Sequence, residues 1–162
     1  MSGDPLGLVG WLRASGLRVT ASRMAVLEAV CHQPHSDAER VAVAARRRIG
    51  SLSTQAVYNN LHALSQAGLL RRIEPAGGPA RYEARVGDNH HHVVCRVCAT
   101  TADVDCAVGS APCLGASDTH GFEIDEAEVT FWGTCPGCRG LPSAPSLSRT
   151  ATDRPISSRG RQ

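Results

Sequence analysis

Two Cys-x-x-Cys pairs, Cys95-Arg96-Val97-Cys98 and Cys135-Pro136-Gly137-Cys138, stand 36 residues apart and restrict the fold of this 162-residue chain more than any other feature. Each pair can place two thiolates on a tight turn, and four thiolates at tetrahedral geometry suit Zn²⁺. A thioredoxin-like redox pair or chance are the other readings of such a motif; two pairs flanking one compact segment favour a closed zinc site. Four protein ligands leave no open position for a substrate, so the zinc is expected to be structural. It would staple a segment poor in aromatic core, in a chain with only 4% aromatic residues. The seven cysteines are odd in number and no secretion signal precedes them, which argues against a disulfide framework. Cys31, Cys106 and Cys113 are left over, read as small buried apolar residues with a redox role as the alternative.

The start of the chain, Met1 to Leu12, lacks a basic n-region and an apolar h-region, and no apolar run approaches the roughly 18 residues needed to cross a bilayer. A soluble, cytoplasmic protein with no membrane partner is expected. Its net charge of +2 hides a cancellation. Residues 1–86 carry 11 arginines against 6 acids, residues 87–140 carry 2 against 8, and residues 141–162 carry 4 against 1. A basic first part suits phosphate and an acidic second part suits cations. All 17 basic residues are arginine, which also suits bidentate phosphate contact.

Asp4 and Pro5 are expected to open a helix that Gly16 stops, and Thr20 to cap a second that carries Val26, Leu27 and Val30 and ends at Pro34. Ser36-Asp37-Ala38-Glu39 fits a capping box for a third helix closed by Gly50. The triple Arg46, Arg47 and Arg48 reads as its solvated, dipole-complementing end. Ser53 opens a fourth helix with an apolar stripe, Val57, Leu61 and Leu64, and a polar stripe, Gln55, Tyr58, Asn59 and His62, on another face, before Gly68 ends it. Two strands, Leu69 to Glu74 and Ala80 to Arg85, follow around a Pro- and Gly-rich loop. Helices followed by a hairpin make a winged helix-turn-helix. The expected fold class is α+β: a winged-helix DNA-binding domain over 1–86, a small α/β dimerisation domain over 87–140 and a disordered basic tail over 141–162. The second domain is expected to hold a helix near Ala107 to Thr119 and a last strand from Ala127 to Thr134.

His90-His91-His92 leads into the first cysteine pair, and on a strand His90 and His92 share one side. With Asp103, with Glu83 at the end of the second wing strand and with His35 before the third helix, they form a nitrogen and oxygen ligand set drawn from both halves. Such a set suits Fe²⁺, Mn²⁺ or Zn²⁺ at higher coordination. The bland alternative is a solvated histidine run.

Leu12-Arg13, Gly16-Leu17-Arg18-Val19-Thr20-Ala21-Ser22-Arg23, Gln55 to Leu61, Arg81-Tyr82-Glu83, His90 to Cys98 and Trp132 to Cys138 together resemble the ferric uptake regulator family over residues 6–140. The stretch Arg81 to Ser117 is most similar to its actinobacterial FurA branch. That resemblance implies a homodimeric repressor that responds to iron and oxidants and is linked to a catalase-peroxidase gene. It places the structural zinc on Cys95, Cys98, Cys135 and Cys138, and the regulatory metal, Fe²⁺ or Mn²⁺ with Zn²⁺ as the other option, on His35, Glu83, His90, His92 and Asp103. It makes Arg18 and Arg23 candidates for phosphate or minor-groove contact. Gln55, Tyr58 and Asn59 are positioned to read base edges of a double-stranded operator. Two departures from the family pattern stand out. Ala127 and Asn89 occupy places where a further metal site has histidines, so that site is not assigned, and Ala99 replaces the usual glycine after Cys98, where it is expected to strain the zinc turn. Glu83 stands where a peroxide-sensing branch has aspartate, whereas Tyr58-Asn59-Asn60 resembles that branch.

Three rival functions remain at this level. A zinc-responsive uptake regulator of the same family differs in metal selectivity. A metal-dependent hydrolase built on His90, His92, Asp103 and Glu83 lacks an activated nucleophile and a phosphate loop, and leaves the winged helix idle. A zinc-ribbon interaction module leaves the polar stripe of the fourth helix unused. No small-molecule substrate and no enzymatic activity are expected.

Overall fold

The computed structural model describes residues 5–75, 77–87, 90–105, 119–123 and 129–140. The Asp4 cap, most of the helix expected near 107–119, Cys106, Cys113, Asn89, Ala127 and the tail 141–162 lie outside them. Four helices come first: α1 (Pro5–Ala14), α2 (Ala21–His32), α3 (Ala38–Ile49) and α4 (Thr54–Gln66). Thr20 and Ser53 cap α2 and α4 as expected, their hydroxyls accepting from the backbone N–H groups of Arg23 and Ala56. The α3 and α4 helices turn their apolar stripes onto α2, which is buried on all sides over Ala25–Val30. Val26, Leu27, Val30, Val57, Leu61 and Leu64 are all fully buried, and Leu8 and Leu12 of α1 close the same core.

The start of α3 differs from the capping-box expectation. Asp37 is the cap, its carboxylate accepting from the Arg40 N–H at 2.8 Å, which leaves Glu39 one position short of the box. Ser36 and Asp37 form a short strand instead, β1 (Ser36–Asp37), pairing antiparallel with β3 (Arg81–Glu83). On its other side β3 pairs with β2 (Arg71–Ile73), so the sheet order is β1-β3-β2. Both wing strands are shorter than expected. The arginine triple also departs from a purely solvated end. Arg46 donates to the Leu52 carbonyl at 2.7 Å and to the Thr54 hydroxyl, tying α3 to the start of α4, and Arg48 pairs with the buried Glu28 of α2 at 2.6 Å.

The second sheet has the order β5-β4-β6, with β4 (His90–Cys95) central, β5 (Thr101–Asp105) antiparallel to it and β6 (Thr130–Gly133) parallel. Register sets which side chains meet: His90 faces Asp105 and His92 faces Asp103 across the β4–β5 ladder. Strand alternation puts these four on one face and His91 on the other, where its ring meets Phe131 edge-on. Among the described residues, the main apolar cluster lies within residues 8–84. Among the described residues of the second sheet and its turns, the buried apolar groups are Val94, Cys95 and Cys138.

Candidate metal centres and nucleic-acid interface

The four cysteines converge. Cys95 and Cys98 flank the turn after β4, Cys135 and Cys138 belong to the short 3-10 turn after β6, and their sulfurs all lie within 4.8 Å of one another. The Cys98 and Cys135 sulfurs are 3.7 Å apart. Four sulfurs each about 2.3 Å from a common ion at tetrahedral angles lie roughly 3.8 Å apart. The electrostatics fit a cation as well. Backbone N–H groups of Cys135 and Cys98 hold the Cys95 thiol down to about 6, and the Thr100 hydroxyl lowers that of Cys98. Cys138, facing Cys135 and Cys98, is pushed up to about 12. Four thiols this close resist full ionisation on their own, and a dication removes that conflict.

Ala99 adopts φ 58° and its N–H donates to the Cys95 carbonyl, so the expected strain in the turn is present. The left-handed region costs an L-residue roughly 1–2 kcal/mol, partly offset by the greater chain entropy that glycine loses on folding. Ala99→Gly is therefore expected to stabilise the turn after Cys98 by about 0.5–1 kcal/mol. Chemical denaturation of the zinc-loaded protein checks this, and a lower midpoint in Ala99→Gly would contradict it.

A second cluster joins the two sheets. Ligand atoms of His35, Glu83, His92 and Asp103 lie within 4.8 Å of one another. Nε2 of His35 is 2.9 Å from Oε2 of Glu83 and 2.7 Å from Oδ1 of Asp103, and Nε2 of His92 is 3.2 Å from the same Glu83 oxygen. His90 reaches the other oxygen of Glu83 at 2.9 Å and stands edge-on to His92, so it joins the set through Glu83. Glu83 and His92 are fully buried. Burial alone pushes the Glu83 carboxyl up, but hydrogen bonds from His35 and His92 overcome it and hold the group at about 2. Burial pulls His35 down, yet Glu83 and Asp103 push it up further, leaving it raised. Three imidazoles turned on two carboxylates in a mostly buried site form a donor set of the kind that holds Fe²⁺, Mn²⁺ or Zn²⁺.

Local backbone explains how His35 gets there. It sits at φ 59°, with its N–H donating to the Tyr82 carbonyl and its own carbonyl accepting from Arg81 Nη1 at 2.9 Å. Two arginines that the sequence reading passed over therefore flank Glu83, two residues to either side. Arg81 holds the His35 backbone, and Arg85 pairs with Asp103 at 3.3 Å and Asp105 at 2.8 Å. The alternation Arg81-x-Glu83-x-Arg85 was the available signal.

On α4, Gln55, Tyr58, Asn59 and His62 are all exposed, and the Gln55 amide donates to Asn59 at 2.8 Å, which orders the polar stripe. Asn60 instead donates to the Ala56 carbonyl of its own helix. Arg18 is exposed, whereas Arg23 is half-buried and donates to the Arg18 carbonyl. These placements predict different effects on DNA. Against a duplex selected by the protein from a random pool, Arg18→Ala is expected to reduce the slope of log K against log[salt] by about 1. Tyr58→Ala is expected to leave that slope and relax base discrimination by about 1–3 kcal/mol at one position. An unchanged slope in Arg18→Ala would remove Arg18 from the phosphate contacts.

Comparison with known proteins identifies the family. The ferric uptake regulator family model matches residues 14–132. The transcriptional regulator FurA of Mycobacterium tuberculosis is 57% identical over 144 residues, covering 89% of this chain and 93% of its own, and ferric uptake regulation protein 1 of Mycolicibacterium fortuitum is 55% identical over 138 residues, covering 85% and 86%. The ferric uptake regulator Fur of Helicobacter pylori superimposes with a TM-score of 0.64 at 17% identity, covering 86% of this chain and 97% of its own. At that identity the likeness speaks for the α+β fold alone. Its relatives in sequence are transcriptional regulators, which sets the hydrolase reading aside. With the model matched across most of the described residues and more than half of the positions shared with FurA, the chain belongs to the ferric uptake regulator family, in its FurA branch, and is a metal-responsive transcriptional regulator.

Proposed function

We propose that this protein is a homodimeric, cytoplasmic repressor that binds a double-stranded operator when a regulatory site holds Fe²⁺ or Mn²⁺, that it answers to iron and oxidants, and that it controls a catalase-peroxidase gene. Residues 1–86 carry the DNA-binding face, with Arg18, Arg23, Gln55, Tyr58 and Asn59 as contacts. Residues 87–140 carry the dimer contact and a structural Zn²⁺ on Cys95, Cys98, Cys135 and Cys138, and the tail 141–162 adds salt-sensitive attraction to DNA. The regulatory ligands are His35, Glu83, His90, His92 and Asp103. For the described residues, no helix is long and apolar enough to cross a membrane.

One observation carries the reading: the second cluster takes His35 and Glu83 from the helical half and wing, and His92 and Asp103 from the second sheet. An ion bound there supplies positive charge that two carboxylates and several imidazoles can share. His35 and Glu83 then move with the recognition helix, while His92 and Asp103 stay with the sheet, so the shared site fixes the angle between them. Two winged helices in a dimer engage successive major-groove faces only at the right angle. The state with that angle is favoured by as much as the ion prefers it.

The test is to measure metals bound by the protein, then binding to the selected duplex with Fe²⁺, Mn²⁺, Zn²⁺ or chelator. Tight binding restricted to Fe²⁺ and Mn²⁺ supports the proposal. Equal activation by sub-micromolar Zn²⁺ alone would move the protein to the zinc-responsive reading. Peroxide treatment of iron-loaded protein followed by mass spectrometry separates an oxygen added to His35 or His90 from a disulfide at Cys95.

A further inference from the structure

Asp103 differs from Glu83 in how its two oxygens are engaged: both Glu83 oxygens meet cluster histidines, whereas one Asp103 oxygen meets an arginine. Its Oδ1 lies 2.7 Å from His35 Nε2 and 3.8 Å from His92 Nε2, inside the cluster. Its Oδ2 faces outward, 3.3 Å from Arg85 Nη1. The other arm of the same guanidinium is anchored on Asp105 Oδ1 at 2.8 Å. Register makes this possible, since Asp103 and Asp105 lie two residues apart on β5, opposite His92 and His90. A planar fork held at one end by Asp105 keeps its other end on Oδ2.

We propose that Arg85 is a positioning residue that limits Asp103 to a single donor oxygen and thereby sets which divalent cation the cluster prefers. The inference rests on the reading of this cluster as the regulatory metal centre. With Oδ2 engaged, Asp103 gives one oxygen. Released, it can close both on the ion and raise the coordination number by one. Zn²⁺ is content with four donors, whereas Mn²⁺ favours six in an oxygen-rich shell. Freeing Oδ2 therefore helps Mn²⁺ more than Zn²⁺. The positive charge of Arg85 acts differently, because it disfavours every dication alike. The ratio of two affinities isolates the positioning effect from the charge effect. Arg85 and Asp103 both line an open pocket of about 470 Å³ that also meets Trp11, Cys31 and Val86.

Full-length protein loaded with structural zinc, with unchanged zinc content and melting temperature as the check on folding, is titrated with Mn²⁺ and with Zn²⁺ against a competing chromophoric chelator. In Arg85→Gln the Mn²⁺-to-Zn²⁺ affinity ratio is expected to rise about tenfold, the scale of effects seen when groups behind metal ligands are changed. Arg85→Lys keeps the charge but, as a point charge, loses the fork, and is expected to shift the ratio part of the way. Asp105→Asn, which loosens the anchor, moves it in the same direction. The electron paramagnetic resonance spectrum of bound Mn²⁺ changes in Arg85→Gln as its ligand shell gains an oxygen. Affinities that rise together with an unchanged ratio would reduce Arg85 to a surface charge and overturn the proposal. A wild-type protein that takes up no ion beyond the structural zinc would instead overturn the regulatory-centre reading, and this inference with it.

Discussion

Cys138→Ser is expected to lose structural zinc and to unfold the second sheet, while the helical core survives. The asymmetry follows from where the apolar contacts lie. The main cluster is confined to residues 8–84, whereas Val94, Cys95 and Cys138 are the buried apolar groups in the second sheet and its turns among the described residues. A three-stranded sheet with so small an apolar face is marginal by itself. The cysteine turns pin two of its strands together at one end, because Cys95 and Cys98 lie at the end of β4 and Cys135 and Cys138 just after β6, which runs parallel to it. Backbone bonds already join the turns: the Arg96 N–H donates to the Gly133 carbonyl, and the Cys135 N–H points at the Cys95 sulfur. Structural zinc contributes about 10–16 kcal/mol in small domains near neutral pH, more than most whole domains have in reserve. Serine at 138 leaves three thiolates, and Cys138 is nearly buried, so the replacement also puts a hydroxyl where a sulfur packed. Native mass spectrometry should show the loss of one zinc per chain, and hydrogen exchange should show β4, β5 and β6 unprotected with α2 to α4 intact. A zinc-free Cys138→Ser protein whose second sheet keeps its protection would show that the sheet stands without the metal.

Much of this was readable in advance, for identifiable reasons. Val57, Leu61 and Leu64 announce the buried side of α4 because helical spacing leaves them no other arrangement, and the caps Thr20 and Ser53 follow from the need of orphan N–H groups for an acceptor. Cysteine pairs carry their geometry in local spacing, so the convergence of Cys95, Cys98, Cys135 and Cys138 was legible. The start of α3 was not, because Ser36 and Asp37 can each cap a helix and the choice between them is made by pairing with β3, nearly fifty residues away. Nothing local in the sequence reveals that α2 presents the buried Glu28 to Arg48. Arg81 and Arg85 went unnoticed for the same reason. Their partners, His35 and Asp103, arrive from other elements, and only the fold brings them together.

Losing one imidazole from the second cluster is expected to abolish metal-dependent operator binding without loss of the fold, and His35→Asn is the cleanest way to do it. His35 sits at φ 59°, a region asparagine tolerates better than alanine, so Asn removes the ligand with little added backbone strain. Its side chain contacts Glu83 and Asp103, while its N–H and carbonyl bonds to Tyr82 and Arg81 are backbone bonds that the substitution keeps. Shifting a two-state equilibrium from 1:99 to 99:1 takes about 5.5 kcal/mol of differential affinity. A site deprived of one of its few ligands cannot supply that, so operator affinity with Mn²⁺ present should fall about 100-fold, toward the value measured with chelator. Asp103→Asn, altered from the side of the second sheet, should give the same result, since either half must hold the ion for the angle to be fixed. The pH dependence has a definite sign. Glu83 and Asp103 hold His35 above its ordinary value against the opposing effect of burial, and only its neutral form can ligate, so ion binding competes with a proton and weakens as pH falls through that raised value. Calorimetry in two buffers of different ionisation enthalpy measures the proton released, and His35→Asn should release fewer. Operator binding by His35→Asn that keeps its full dependence on Mn²⁺ would mean that the two halves are not joined through this site.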